Sequence, residues 1–387
     1  MFFSKTHLYQ MVCALLIGAS LAAQADIAPE TLKAESIRAI PEHALLINTF
    51  GENALLFDTD TLEVLGMIST GIDANAFEIE VERGALHAAE TYLSRHTRGE
   101  RTDVISTYDI ENLSPLSEIV IPPRHAGGSP MRNYSGLLHD GDTRLMLVTN
   151  ITPGNTISVA DLNSGQFLNE ISTAGCGLVY PDKGLRFLQL CGDGTVQIIM
   201  LDADGNEIAR DRSGVFFDLQ ADPLMEKAAR DDRGWVFNSF LGRVIGVELD
   251  LENEELKVEE RFVIDDGTGE WRIGGMQPLA LHRSTNMLLA LMHPMADAED
   301  TGGHKAPGVE IWYLDAQSGA IRHRLTLPEP ATAIAVSQDE KPRLYVGSII
   351  SGQVSVYDLV TTQLTGTITD LSFPTILQSL TPAKNND

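Results

Sequence analysis

Basic charge is what this chain has least of: 28 Lys and Arg stand against 54 Asp and Glu, a formal net charge of −26 over 387 residues. Such a surface repels nucleic acid and anionic lipid, because both need clustered cations to neutralise phosphate. It suits a neutral, cationic or locally basic partner, or serves solubility alone. Long apolar runs are also missing. After a stretch from about Met11 to Ala23, nothing approaches the roughly 18 uncharged residues that a spanning helix requires. Familiar catalytic signatures are absent too: there is no Gly-x-Ser-x-Gly elbow, His-Glu-x-x-His helix, Walker loop or Gly-x-Gly-x-x-Gly fingerprint. The usual routes by which one polypeptide announces hydrolysis, zinc chemistry or nucleotide binding are therefore not written here.

Cysteine is scarce, with Cys13, Cys176 and Cys191 only. Cys13 falls inside the early apolar run, which follows Lys5 and His7 and ends at Ala23-Gln24-Ala25, a small-x-small cleavage pattern. Residues 1–25 thus read as a secretory signal peptide, which places the mature protein in an oxidising compartment outside the cytoplasm. In that oxidising compartment the two remaining cysteines, Cys176 and Cys191, are expected to form one disulfide. Their spacing is far from a redox-active Cys-x-x-Cys pair. Residues 26–40 read as an N-terminal extension and 381–387 as a disordered tail.

Between them one pattern recurs: an apolar stretch, an Asp, a few turn residues, then a second, usually alternating apolar stretch. The copies centre on Asp58, Asp109, Asp161, Asp202, Asp250, Asp315 and Asp358, at intervals of 51, 52, 41, 48, 65 and 43 residues. Each reads as a β-hairpin whose leading Asp accepts hydrogen bonds from backbone N–H groups two residues on. A period near 50 leaves room for two further strands per copy. Four-stranded units repeated radially make a propeller, and seven copies predict seven blades across 41–380. The 65-residue interval carries its surplus at 267–278 and 292–308, read as elaborated loops. DADGNE at 202–207 looks superficially like a calcium loop but lacks its ligand ladder, so it reads as a hairpin turn. The ten histidines show no zinc-like spacing. His293 and His304 flank Asp297, Glu299 and Asp300, an acidic stretch read as a solvated loop tip, and no metal ligand is assigned.

Two segments stand out. TYLSRHTRGERTD (91–103) gathers Arg95, His96, Arg98 and Arg101 in an otherwise acidic protein. These arginines either pair with carboxylates of neighbouring blades or form a docking loop for an acidic partner. Trp271-Arg272, ahead of Gly274-Gly275, is either an interfacial anchor or core filling between blades.

At these segments the chain resembles the heavy subunits of methylamine and aromatic amine dehydrogenases. The similarity is carried by TYLSRHTRGERTDVISTYD (91–109), PPRHAGG (122–128), AGCGLVYP and LCGDG around the cysteines, WRIGGMQPLALHR (271–283), MHP with GGHKAPGVEIWYLDAQSG (292–319) and VSVYDL. The resemblance implies a seven-bladed propeller within a periplasmic assembly of two heavy and two light subunits that oxidises primary amines to aldehydes and ammonia. It also implies that the cofactor, tryptophan tryptophylquinone, lies on the light subunit, that a small blue-copper protein accepts the electrons, and that no catalytic residue lies in this chain. Arg95, Arg98, Arg101, Trp271, Arg272, His304 and Lys305 become candidates for the subunit interface or its loop scaffold. Substrate-channel candidates come from GIDANAFEIE (71–80): Ile72 and Asp73 lie near the family's aromatic position, and Phe77 is the nearest aromatic. A stand-alone periplasmic scaffold and a lactonase-like propeller hydrolase are the competing readings.

Overall fold

The computed structural model describes residues 40–50, 53–72, 76–124, 132–250, 255–294 and 303–380. The expected signal peptide, the tail, Asp73 and the acidic stretch Asp297, Glu299 and Asp300 lie outside them. The chain is all-β, with seven antiparallel sheets arranged as the blades of a propeller. Blade II is representative: Glu78–Glu80, Ala85–Leu93, Arg101–Asp109 and Pro115–Ile121 run in sequence order from the axis outward. Blade I closes the ring, because its innermost strand, Pro374–Ser379, comes from the C-terminal end and pairs with Ala44–Thr49, Ile47 facing Leu377.

Both faces of each middle strand are covered by neighbouring blades, so these strands are near-continuously apolar rather than alternating. Met287–Pro294 is buried along six consecutive residues. The core consists of layers between blades: Leu46, Leu56, Phe77 and Leu86 join blades I and II, and Leu291, Ile311, Ile334 and Leu344 join VI and VII. Outer strands such as Glu207–Arg212 are exposed throughout.

Inner strands of all seven blades line one axial cavity. They run the same way, as the parallel bridge between Gln277 and Ala333 of adjacent blades illustrates. The ring therefore has two distinct ends. One, the turn face, carries the hairpins between third and fourth strands; the other, the loop face, carries the second-to-third connections and the crossings between blades. The recurring Asp residues sit on the turn face. For the six whose side chains are described, the carboxylate accepts a backbone N–H within the turn, as Asp109 does from Glu111 (2.8 Å) and Asn112 (2.9 Å). Asp202 closes its hairpin on Asn206 in this way.

Blade VI departs from the pattern. Its inner strand is interrupted: Trp271–Ile273 and Leu279–His282 both pair with Met287–Pro294, and the residues between bulge toward blade VII. Glycines are needed there. A Cβ on Gly274 would lie 2.4 Å from the Ala306 carbonyl, and Gly275 has φ 119° with the Thr332 carbonyl 2.7 Å from where its Cβ would be.

Candidate interaction face

The Arg-rich segment forms the hairpin between Ala85–Leu93 and Arg101–Asp109, in register with Leu93 opposite Arg101. Its tip is internally fixed: Ser94 N–H donates to Glu100 O (2.9 Å) and Arg95 N–H to Arg98 O (2.9 Å), while Glu100 N–H donates to Ser94 Oγ (3.0 Å). The arginines divide. Arg101 grips Asp103 with two parallel bonds of 2.7 and 2.8 Å. Asp103 is fully buried and also accepts from Thr91 (3.0 Å), so Arg101 anchors the hairpin base. The guanidinium groups of Arg95 and Arg98 are exposed on the loop face and have no hydrogen-bond or ion-pair partner among the described residues.

Next to this hairpin, Ile72 exchanges backbone hydrogen bonds with Thr91 (2.8 and 3.2 Å). Glu90, with no exposed surface, fixes the approach to it by accepting Gly71 N–H at 2.9 Å and the hydroxyls of Tyr108 (2.9 Å) and Tyr92 (3.3 Å). Burial raises the Glu90 carboxyl above its ordinary range, against the pull of these donors. Phe77 stands deeper, edge-on to Tyr108 at 6.1 Å. The side-chain amide of Gln378 clamps its backbone from blade I, accepting from its N–H (2.8 Å) and donating to its carbonyl (2.7 Å).

The other expected interface residues meet at blade VI. Trp271 is half-buried against Trp312, ring centroids 5.6 Å apart. Trp312 is fully buried, donates its Nε1–H to Glu310 (2.8 Å) and has the Arg324 guanidinium 4.0 Å above its ring. Arg272 donates to the carbonyls of Trp271 (2.7 Å) and Gly269 (3.2 Å), leaving its buried Nε unpaired. His293 lies opposite it in the strand pairing. His304 and Lys305 follow in the single turn Gly303–Lys305, with the Glu226–Lys227 ion pair (2.6 Å) nearby. Burial first, then the neighbouring lysines, keep His304 below its ordinary pKa, and burial does the same for His293, so both are neutral near pH 7. The seven candidates thus form two groups on one face, the basic hairpin of blade II and the Trp271–Lys305 neighbourhood of blade VI. Trp235, the third tryptophan, packs edge-on to Tyr180 at 5.2 Å and donates to Pro181 O (2.9 Å). All three indoles act as packing elements.

The same face carries exposed Phe50 (73%), Ile151, Val215, Leu241, Ile350 and Phe373. On the same face Cys176 and Cys191 oppose each other on the two inner strands of blade IV and are joined as the sequence predicts. Among the described residues no cluster of His, Cys, Asp or Glu is placed to hold a metal ion, and no helix is long and apolar enough to cross a membrane. Sequence reasoning missed Glu90 and Gln378, which read as ordinary strand residues until their partners are placed.

Residues 47–381 match the family model described as methylamine dehydrogenase heavy chain. Similar curated proteins include the methylamine dehydrogenase heavy chain of Methylophilus methylotrophus, 26% identical over 317 residues, covering 81% of this chain and 76% of that one. The heavy chain from Methylorubrum extorquens is 25% identical over 360 residues, covering 88% and 84%. Among solved structures, a periplasmic gluconolactonase from Pseudomonas aeruginosa superposes with a TM-score of 0.57 at 15% identity, covering 87% of this chain and 98% of that one. A dihydro-heme d1 dehydrogenase does so with 0.55 at 17%, covering 88% and 76%. At such identities these two establish the fold alone.

Proposed function

Because the chain belongs to the methylamine dehydrogenase heavy chain family, we propose that it is the large, quinone-free subunit of a periplasmic amine dehydrogenase and that its loop face receives the light subunit. The observation that carries this reading is the character of that face: exposed apolar side chains together with two unpaired arginines, in a protein whose net charge is −26. Apolar area with a few guanidinium groups is what a stable interface uses, and Arg95 and Arg98 suit carboxylates on the partner.

In this assembly the light subunit's tryptophan-derived quinone would supply the two-electron oxidation by which a primary amine and one water become aldehyde and ammonia, with a small blue-copper protein as the electron acceptor. This chain's part is to cover the quinone, exclude bulk water and shape the amine's approach. Ile72, held beside the basic hairpin by Glu90 and Thr91, is its best-placed channel residue; Phe77 packs against Tyr108, which in turn donates to Glu90. The engaged indoles of Trp271 and Trp312 favour a cofactor outside this chain, since Trp312 has no path to solvent.

The test is co-expression with a candidate light subunit. Amine-dependent dye reduction is expected from the pair and from neither chain alone. Arg95→Glu with Arg98→Glu should reduce co-purification of the light subunit at least tenfold while leaving the heavy chain folded. Arg101 is a poor choice for reversal, because it would strand buried Asp103. Dye reduction by this chain alone, or assembly indifferent to the double reversal, would overturn the respective part of the reading.

A further inference from the structure

The axial cavity, about 440 Å³, collects the charge that the molecule otherwise lacks. Arg132, Arg230 and Arg283 line it from three different blades, against one lining carboxylate, Glu78. Arg230 ends the short inner strand Ala229–Arg230, donates to Pro181 O and lies with its guanidinium 5.4 Å from the Trp235 ring centre. Arg132 precedes the inner strand of blade III and Arg283 follows that of blade VI. Among the described residues, neither of these two guanidinium groups has a hydrogen-bond or ion-pair partner.

The carboxylates nearby do not answer them. Glu78 accepts from Ser135 Oγ (3.1 Å) and attracts Arg132 without closing an ion pair. Asp231, which attracts Arg230, is bonded to Arg261 at 2.7 Å. Asp182 attracts Arg230 from blade IV, while Arg283 repels it. Burial is the largest influence on Arg230 and Glu78, drawing the guanidinium group below and the carboxyl above their ordinary ranges. Arg132 is exposed to the cavity and Arg230 and Arg283 are half-buried, so their charge is only partly answered by neighbouring carboxylates and the cavity walls focus its field inward. The guanidinium fork matches carboxylate and phosphate oxygens in pairs, and the volume is that of a small-molecule site.

We propose that the axial cavity is a binding site for a small multivalent oxyanion, a polycarboxylate or a phosphate, held by Arg132, Arg230 and Arg283. No subunit-interface candidate lines this site, and Phe77 is the one residue it shares with the channel candidates of the amine reading. An oxyanion there would bind the loop-face end and the turn-face end of the inner strands into one charged network and stabilise the ring from within.

Calorimetric titration and thermal unfolding of the full chain with citrate and with inorganic phosphate, at ionic strength held constant with chloride, test the proposal. Saturable one-to-one binding of at least one anion is expected; preference for citrate identifies a polycarboxylate, preference for phosphate a phosphate. Arg132→Gln combined with Arg283→Gln should weaken that binding at least tenfold. The same variant should leave the anion-free Tm close to that of the wild type, because it removes charge without breaking a hydrogen bond or ion pair. Arg322→Gln, outside the cavity, should bind as the wild type does. The proposal falls if neither anion binds saturably, if the double variant binds as tightly as wild type, or if Arg322→Gln weakens binding equally.

Discussion

The two ends of the propeller are built from the same seven repeats and have opposite characters. On the turn face, outside the axial cavity, charge is answered inside the chain. Glu80 is shared by His87 (2.8 Å) and Arg144, His43 bridges Asp60 (2.7 Å) and Asp339 (3.2 Å), and Arg343 reaches Asp60 (2.9 Å) across the blade I–VII junction. Among the exposed large apolar residues described, only Val360 belongs to a turn there. The loop face keeps Arg95 and Arg98 unpaired, exposes a set of apolar side chains, and bears the irregular strand of blade VI and the disulfide. A scaffold end that satisfies itself and an opposite end that does not is the arrangement expected when function sits on loops carried by a rigid frame.

The largest effect that can test this division concerns Glu80. Burial pushes its carboxyl up, but hydrogen bonds from His87 and Arg144 more than reverse that, to about 2 from an ordinary 4.5. Its stabilisation is therefore complete above about pH 4.5 and drains away as pH falls toward 2. Removing one partner of a buried pair costs about 3–5 kcal/mol. Glu80→Ala should lose that much in urea unfolding at pH 7 and show a flatter acid limb than wild type. A loss under about 1 kcal/mol would mean the turn face is not held by its charges. Next comes the loop face's own tether. Replacing both Cys176 and Cys191 by serine should cost about 3 kcal/mol, the chain-entropy value for a loop of this length. The loss should be matched by adding reductant to the wild type.

What could be read from the sequence divides along the same line. The Asp turns are local: a carboxylate reaching an N–H two residues away leaves its mark in a short string, so counting strings counted blades. Arg101 with Asp103 was legible in principle, since residues two apart on a strand share a side, whereas Arg95 and Arg98 lie beyond the strand and read alike with it until the hairpin is placed. Gln277, whose amide donates to Leu377 O 100 residues away, and Gln378, which clamps Phe77 across 301, had no such mark. The cavity arginines are equally silent, because only ring closure brings Arg132, Arg230 and Arg283 around one cavity.

The smallest expected effect is also the sharpest check on the comparison. Asp358 accepts the N–H groups of Val360 (3.1 Å) and Thr361 (2.7 Å) and the Thr361 hydroxyl (2.9 Å), and those bonds hold its carboxyl below the ordinary range. The turn is exposed, so water can replace the lost acceptor, and Asp358→Ala should cost only about 1 kcal/mol. Because the substitution lies at the opposite end of blade VII from the loop face, it should leave co-purification of the light subunit unchanged. Equal loss of assembly from Asp358→Ala and from the Arg95 and Arg98 reversal would mean that the ends are coupled through the blades. The division of labour drawn between them would then be wrong, even with seven blades and every turn in place.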